Sequence, residues 1–512
     1  MSLCGSVEFD GERPVRGGMR RPLGRPMGDR TGFLRKPRET TMGKTSGKTT
    51  PRERIVVVAN RLPVHRARQG GTGPWKESPG GLATALIPIV RRTRALWLGW
   101  TGSTGKVVRP FSHNGIQISP LRISASEADA YYDGFSNRTI WPLYHDAIRT
   151  PEFHREWWPL YVEVNRRFAQ KAASLLRPHD LVWVNDYHLQ LVPRFLRELR
   201  PDVRTGFFLH VPFPPNELFA YLPWRREILE GLLGADLVGF QTTAGAQNFV
   251  RCAKEYTTAD GTGMTLHFGG RTIHAGSFPV SVDAGWFGET ADSPLTVRRA
   301  NEIRQNLGRN RKLILSVDRL DYTKGIDARL RAFGDLLQRR KASVNDCVLV
   351  QIAVPSRELL GEYGEIRSRV EQLVGRINGE HSVPGRVAVH FFRRSFPREE
   401  LSAYYRTADV MLVTPFRDGM NLVAKEYVAS RTNHTGVLIL SEFAGAAREL
   451  RQAILVNPYD IDGMTNALHT ALHMEPRDAR MRMAFMRSTV RRHDVYHWAN
   501  EFLRELRRGT AR

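Results

Sequence analysis

From residue 54 onward, short runs of consecutive apolar residues alternate with longer stretches whose apolar positions recur at helical spacing. A first series comprises Ile55-Val56-Val57-Val58-Ala59, Ala95-Leu96-Trp97-Leu98-Gly99-Trp100, Leu181-Val182-Trp183-Val184, Gly206-Phe207-Phe208-Leu209 and Leu237-Val238-Gly239-Phe240. A second comprises Leu313-Ile314-Leu315-Ser316-Val317, Val348-Leu349-Val350-Gln351-Ile352-Ala353, Val387-Ala388-Val389, Val410-Met411-Leu412-Val413, Val437-Leu438-Ile439-Leu440 and Ile454-Leu455-Val456. Strands apolar at successive positions are buried on both faces, which requires a parallel sheet covered by helices. The pattern therefore predicts an α/β protein with two such sheets and a cleft between them. The polar stretch 291–311, with a helical pattern at 297–307, reads as the linker.

Residues 1–52 are rich in Gly, Pro, Arg and Thr and have no sustained periodicity. Such a segment buries too little apolar area to offset its ordering entropy, so it is expected to be a disordered basic tail. Met42 offers an alternative start within it. The expected organisation is this tail, a first domain over 53–295, a second over 296–484, and a closing segment over 485–512. The last helical pattern, 494–508, carries Tyr496, Trp498, Phe502 and Leu503 on one face. It either crosses back to the first domain or packs on its own.

A chain of 512 residues has room for two or more cores. No apolar run approaches the length that spans a bilayer, and the amino terminus lacks a secretory core, so the expected location is the cytoplasm. Cys4, Cys252 and Cys347 show neither Cys-x-x-Cys spacing nor a nearby histidine pattern, which points to reduced thiols, two of them packing residues. The formal charge of +24 raises nucleic-acid binding. Its arginines are scattered through amphipathic helices with no concentrated stripe, and no nucleic-acid or membrane partner is expected.

The chemistry concentrates at strand ends. In Asp318-Arg319-Leu320-Asp321-Tyr322-Thr323-Lys324-Gly325, Arg319 and Lys324 fall in the turn after a strand, beside the start of a helix. Ligands of open α/β sheets bind at such ends. Two cations beside a helix amino terminus suit a diphosphate. In the second stretch, Arg417-Asp418-Gly419 is the turn, and Lys425-Glu426 is expected about two turns into the following helix, within reach of a sugar hydroxyl. Taken singly, such residues also read as surface charge and a tight turn. The first half adds Asn60-Arg61-Leu62-Pro63, Gly80-Gly81-Leu82, the run from Tyr131 to Pro142, Asn185-Asp186-Tyr187-His188 and Leu209-His210-Val211-Pro212. Tyr132 and Trp141 can donate to phosphate oxygens while their rings shape a pocket, although core packing is the commoner use of such rings. Asp460-Ile461-Asp462 has the spelling of a metal-diphosphate motif, but its place between strand and helix favours capping.

Order and spelling together resemble the trehalose-6-phosphate synthase family of retaining glycosyltransferases, and the resemblance covers most of the chain. It implies two Rossmann-like domains facing across a cleft, the GT-B arrangement. It implies transfer of glucose from a nucleotide-diphosphate glucose to glucose 6-phosphate, giving α,α-trehalose 6-phosphate. By the same resemblance, Gly81, Arg319, Lys324, Phe396, Asp418, Gly419, Met420, Asn421, Leu422, Val423 and Glu426 contact the donor. Arg61, Trp100, Tyr132, Trp141, Asp186 and Arg357 contact the acceptor, and His210 and Asp186 lie nearest the reacting sugars. Together His210, Asp186, Arg319, Lys324 and Asp418 form the implied catalytic set. Family members more often carry His or Gln where this chain has Asn185, which is expected to tune the site. No cofactor and no metal is expected, because Arg319 and Lys324 already supply the cations. The implied partners are the two small-molecule substrates, with a separate trehalose-6-phosphate phosphatase acting downstream; a homo-oligomer stays open, as does the donor base among UDP, ADP and GDP. Rival readings are a sibling transferase using glycerol 3-phosphate or a cyclitol phosphate, including a pseudo-glycosyltransferase, and a silent sugar-phosphate sensor. The retained Tyr132, Trp141, Arg61 and Asp186 speak for a hexose phosphate, and Lys324 with Glu426 against a sensor.

Overall fold

Two sheets carry the chain, and in each the strand order reverses direction once. The computed structural model describes residues 53–66, 73–78, 80–104, 107–356 and 361–508; the basic tail 1–52 and Arg357 lie outside the described residues. The first half contributes β1 (Ile55–Arg61), β2 (Val64–Arg66), β3 (Trp75–Glu77), β4 (Leu96–Trp100), β5 (Phe111–His113), β6 (Ile116–Leu121), β7 (Leu181–Asn185), β8 (Arg204–Phe208), β9 (Leu237–Phe240), β10 (Thr265–Phe268) and β11 (Arg271–Ser277). Nine of these form one sheet in the order β10-β11-β9-β8-β7-β1-β4-β6-β5, while β2 and β3 make a separate hairpin. Pairing is parallel from β11 through β6 and antiparallel only at the two edges. The second half contributes β12 (Lys312–Arg319), β13 (Cys347–Val354), β14 (Val389–Phe392), β15 (Val410–Val413), β16 (Val437–Ser441) and β17 (Ile454–Val456), an all-parallel sheet in the order β14-β13-β12-β15-β16-β17.

Each central strand splits its side chains between two apolar layers, as alternation along a pleated strand requires. Ile55, Val57 and Ala59 of β1 join a central cluster, whereas Val56 and Val58 join an outer one. On β12, Leu313, Leu315 and Val317 face the same central cluster and Ile314 faces a third, outer one. The central cluster thus takes one face of both sheets and joins the two lobes. Helix Val495–Arg508 belongs to it: Trp498 and Phe502 meet Trp183 of β7 at ring distances of 5.1 and 4.8 Å. Helix Pro476–Arg492 packs instead on helix Leu422–Ser430 and β16.

Several expected details differ. β12 runs on through Arg319, so this residue ends the strand and does not sit in the turn. β14 begins at Val389, where the run 387–389 ends, because pairing with β13 sets Val389 opposite Leu349. The stretch read as a linker contains helix Pro294–Leu307, which packs on helix Arg398–Thr407 and is pinned there by the Arg299–Glu400 ion pair at 2.8 Å. β5, β6, β10 and β11, short or mixed in polarity, carried no continuous apolar run. Cys252 and Cys347 are buried free thiols, and Cys4 lies outside the described residues. Among the described residues no helix is long and apolar enough to cross a membrane.

In the first sheet the order reverses between β1 and β7, and in the second between β12 and β15. Open α/β sheets bind ligands outside the carboxyl ends of the strands at such reversals. Arg61 and Asp186 lie at the first, Arg319 with Lys324 and Asp418 at the second.

Candidate active site

The second sheet's reversal is built as one hydrogen-bonded unit. After β12, Asp321 caps a short 3₁₀ turn, Tyr322–Lys324, by accepting from the Thr323 N–H at 3.0 Å. Gly325 then adopts φ +62 at the start of helix Ile326–Gln338, where a Cβ would stand 2.5 Å from the Thr414 carbonyl oxygen. Glycine is needed there on both counts. Phe416 N–H donates to the Thr323 carbonyl at 2.8 Å, which ties the turn after β15 to the turn after β12. As a result Lys324 Nζ lies 2.6 Å from Asp418 Oδ2 although 94 positions separate them. Desolvation pushes the Asp418 carboxyl up, but the Lys324 charge and hydrogen bond, with the Asn421 amide, outweigh it and hold the group below the ordinary carboxylate range.

Asn421 continues the same device. It takes a left-handed conformation, donates to Asp418 at 3.2 Å, and accepts from Ala424 N–H to start helix Leu422–Ser430. Lys425 and Glu426 are therefore the fourth and fifth residues of that helix, about one turn in and not two. Glu426 accepts from the Tyr405 hydroxyl at 2.8 Å, and desolvation raises its pKa. Lys425 is buried, donating to the Val280 carbonyl at 2.8 Å and pairing with Glu449.

Beneath these turns lies Arg329, fully buried, which sequence reading missed. It pairs with Asp318, donates to the Lys324 carbonyl at 2.6 Å and reaches Thr414 Oγ1 at 3.2 Å. It thus braces both turns from below. Desolvation keeps the Asp318 pKa raised despite that partner. The only advance signal was an arginine on the apolar face of a helix.

The first lobe presents rings. Arg61 lies over Trp100 and Tyr132, its guanidinium 4.7 and 5.6 Å from their centroids. Tyr132 stacks on His188 at 5.6 Å, His188 lies 3.9 Å from Tyr187, Tyr187 is 5.7 Å from Trp141, and Trp141 carries the Arg319 guanidinium at 5.1 Å. A continuous run of rings therefore leads from Arg61 to the cation of the opposite sheet. Tyr132 and Trp141 stand on and just beyond a π-helical segment, Ala128–Ile140. Tyr187 and His188, inside a motif from which only Asn185 and Asp186 were singled out, complete the run.

Asp186 has φ +76, and its Oδ1 accepts from the His210 N–H at 3.2 Å. His210 Nε2 lies 3.1 Å from Asn185 Oδ1, whose amide nitrogen donates to the Trp183 carbonyl at 2.9 Å. That second bond turns the amide oxygen toward the ring, so Nε2 carries the proton and Nδ1 is an acceptor. Desolvation pushes the His210 pKa down to about 3, which keeps the imidazole neutral. The Asn185 departure thus sets the tautomer of His210. His145 is a second neutral imidazole: buried, it lies 4.0 Å from the Trp141 ring, and desolvation followed by the Lys324 charge brings it to about 3.

The two lobes touch at several of these positions. A Cβ on Gly419 would lie 2.4 Å from the His210 carbonyl oxygen, so only glycine permits this approach. Gly81, which opens helix Gly81–Thr93, is 3.5 Å by the same measure from Leu422, while Met420 is buried and Val423 partly buried beside it. Phe396 stands apart: its neighbours are Phe392, Tyr404 and the Arg394 guanidinium, beyond the edge strand β14. Asp460 caps helix Ile461–His473, and Asp462 pairs with Arg339. Among the described residues, no group of three His, Cys, Asp or Glu side chains is placed to hold a metal ion.

Known proteins match this arrangement along nearly its whole length. Glycosyltransferase family 20 matches residues 53–508. A trehalose-6-phosphate synthase of Mycolicibacterium smegmatis is 52% identical over 462 residues, covering 88% of this chain and 92% of that one. That of Mycobacterium ulcerans is 52% identical over 466 residues, with 88% and 93% covered. Among solved structures, a UDP-forming α,α-trehalose-phosphate synthase of Burkholderia xenovorans in complex with glucose-6-phosphate superposes with a TM-score of 0.82 at 36% identity, covering 89% of this chain and all of that one. An E. coli protein bound with UDP-2-fluoro glucose gives 0.81 at 35%, covering 89% and 99%. The chain belongs to glycosyltransferase family 20.

Proposed function

We propose that this protein transfers glucose from a nucleotide-diphosphate glucose to the anomeric hydroxyl of glucose 6-phosphate with retention, forming α,α-trehalose 6-phosphate. The observation that carries the reading is the Lys324–Asp418 pair, set at one sheet's reversal and facing the ring-lined reversal of the other. Arg319 and Lys324 neutralise the departing diphosphate, the step that most needs fixed charge. Until donor arrives, Asp418 serves as counter-ion to Lys324; afterwards it accepts hydroxyls of the donor glucose, and Glu426 accepts those of the ribose. Gly81, Gly419 and the backbone from Met420 to Val423 lie along the donor, with Phe396 at its periphery. Arg61, Trp100, Tyr132, Trp141, Asp186 and Arg357 hold the acceptor, with Arg61, Tyr132, Trp141 and Arg357 on its phosphate.

Retaining glycosidases use two carboxylates about 5 Å apart, one of them a free nucleophile. Here Asp186 is bonded to the His210 amide and Asp418 to Lys324. Such engaged carboxylates favour a front-face displacement in which the leaving diphosphate takes the acceptor proton. Neutral His210, its Nδ1 an acceptor, orients the transferred glucose. The reaction is assigned to the cytoplasm, where both substrates are made and a phosphatase can consume the product. The UDP named for the solved relatives makes UDP-glucose the first donor to test.

The test is incubation of purified protein with glucose 6-phosphate and UDP-, ADP- or GDP-glucose in turn, following nucleotide release and identifying the sugar product. Release that depends on glucose 6-phosphate and yields a non-reducing disaccharide phosphate is expected. Release that ignores glucose 6-phosphate refutes the acceptor.

A further inference from the structure

Just past Trp141-Pro142 the chain makes a turn that the catalytic reading leaves unused. Helix Trp141–Tyr144 ends at His145, and the next two residues, Asp146 and Ala147, have φ of +57 and +50. The Ala147 N–H donates to the Pro142 carbonyl at 2.9 Å and that of Ile148 to the His145 carbonyl at 3.3 Å, which closes the turn. Two consecutive left-handed residues, neither of them glycine, are uncommon. Here they aim Asp146 across the cleft, where its Oδ2 lies 3.0 Å from Arg417 Nε. Arg417 immediately precedes Asp418, and Arg319 rests on the Trp141 ring 5.1 Å away. A six-residue piece of the first lobe therefore grips the end of β12 through a ring and the turn after β15 through a carboxylate. The Arg417 and Asp146 side chains keep 30% and 38% of their surface exposed, so the pair sits at the rim of the cleft and outside its core.

We propose that Asp146 is a positioning residue whose ion pair with Arg417 latches the two lobes in their closed arrangement and holds the Arg417-Asp418-Gly419 turn in register with Lys324. Gly419 already abuts the His210 carbonyl on one side of Asp418, and Arg417 anchors the other, so the donor carboxylate is fixed from both flanks. Moving the lobes apart would break the pair, because its two ends stand on opposite lobes. Its kinetic consequence rests on the glucosyl-transfer reading; its geometric consequence does not. A half-exposed pair of this kind is worth at most about fivefold. Within the closed form Gly419 against the His210 carbonyl and the Lys324–Asp418 bond still set the turn, so that factor falls on KM and leaves kcat at saturation nearly unchanged.

The test is a double-mutant cycle on the full chain with Asp146→Asn, Arg417→Gln and the double variant, with Asp146→Glu as the conservative control. Each protein is assayed with UDP-glucose and glucose 6-phosphate, and its radius of gyration is measured by small-angle X-ray scattering without substrate. The expected result is that each single change raises both KM values about three- to fivefold, that the double variant is no worse than either single, and that Asp146→Glu stays close to the parent. All three charge-removing variants should scatter as larger particles than the parent. Effects that multiply in the double variant, or scattering and KM values equal to the parent's, overturn the latch. Should the parent protein transfer no glucose from any donor, the functional reading falls, and the scattering comparison still decides the latch.

Discussion

The two sides of the cleft solve the same problem with different materials. On the second lobe the residues at the sheet's reversal are charged and mutually paired: Lys324 with Asp418, Arg329 with Asp318, Lys425 with Glu449. On the first lobe Arg61 and Asp186 are set among rings and neutral hydrogen-bonding groups, which run from Arg61 over Tyr132, His188, Tyr187 and Trp141, with His210 held neutral beside Asn185. Burying charge is expensive unless each ion is paired and hydrogen-bonded. On the proposed reading the second lobe receives a diphosphate and so needs fixed cations, and it carries paired carboxylates that make those cations tolerable when no donor is bound. On the same reading the first lobe receives a hexose and needs shape and directed hydrogen bonds, which rings and neutral imidazoles supply without that cost.

The largest expected effect tests whether the donor side depends on paired charge. Replacing Arg329 by Met strands Asp318 in the core and should destabilise the protein by about 3–5 kcal/mol, the usual cost of breaking a buried pair from one side. Adding Asp318→Asn should return part of that loss in urea unfolding; equal instability of single and double variants would mean the pair is not the brace. Next in size, Lys324→Ala or Arg319→Ala should lower kcat of the folded protein by roughly 10² to 10³, as for a lost transition-state donor, with Lys324→Ala also losing stability because it strands Asp418. A rate within threefold of the parent would move the leaving-group site elsewhere. The smallest effect concerns the neutral side. His210 and His145 are each depressed from 6.5 to about 3, so between those values the unfolded chain binds protons that the folded one excludes. Stability is therefore lost as the pH falls from about 6.5 toward 3, with a slope of up to about 1.4 kcal/mol per pH unit for each histidine. Above pH 4.5, where most carboxylates stay ionised, His210→Gln should remove one such slope from the pH dependence of urea unfolding; an unchanged slope would show that the ring titrates normally.

How much of this was readable in the chain follows from the range of each interaction. The turns after β12 and β15 announced themselves because each is a local unit of strand, turn and helix, confined to about ten residues, and the two parallel sheets showed in their doubly buried runs. The Lys324–Asp418 bond did not, since 94 positions separate its ends and only the neighbouring of β12 and β15 joins them. Arg329 hid for the same reason, with Thr414 lying 85 positions away. Glu426 was set a turn too deep because Asn421, not the Asp-Gly pair, caps the helix. Reading the aromatic motif only as far as Pro142 overlooked His145, which feels the Lys324 charge of the other lobe, and Asp146, whose partner Arg417 stands there.

The most direct test of the central claim is a crystal structure of the protein with UDP and glucose 6-phosphate bound together. Arg319 and Lys324 should both lie within hydrogen-bonding distance of the diphosphate oxygens, with Lys324 drawn from Asp418 and the hexose phosphate held between Arg61, Tyr132 and Trp141. A diphosphate seated elsewhere, with either cation turned to bulk solvent in a closed and fully liganded cleft, would contradict the account.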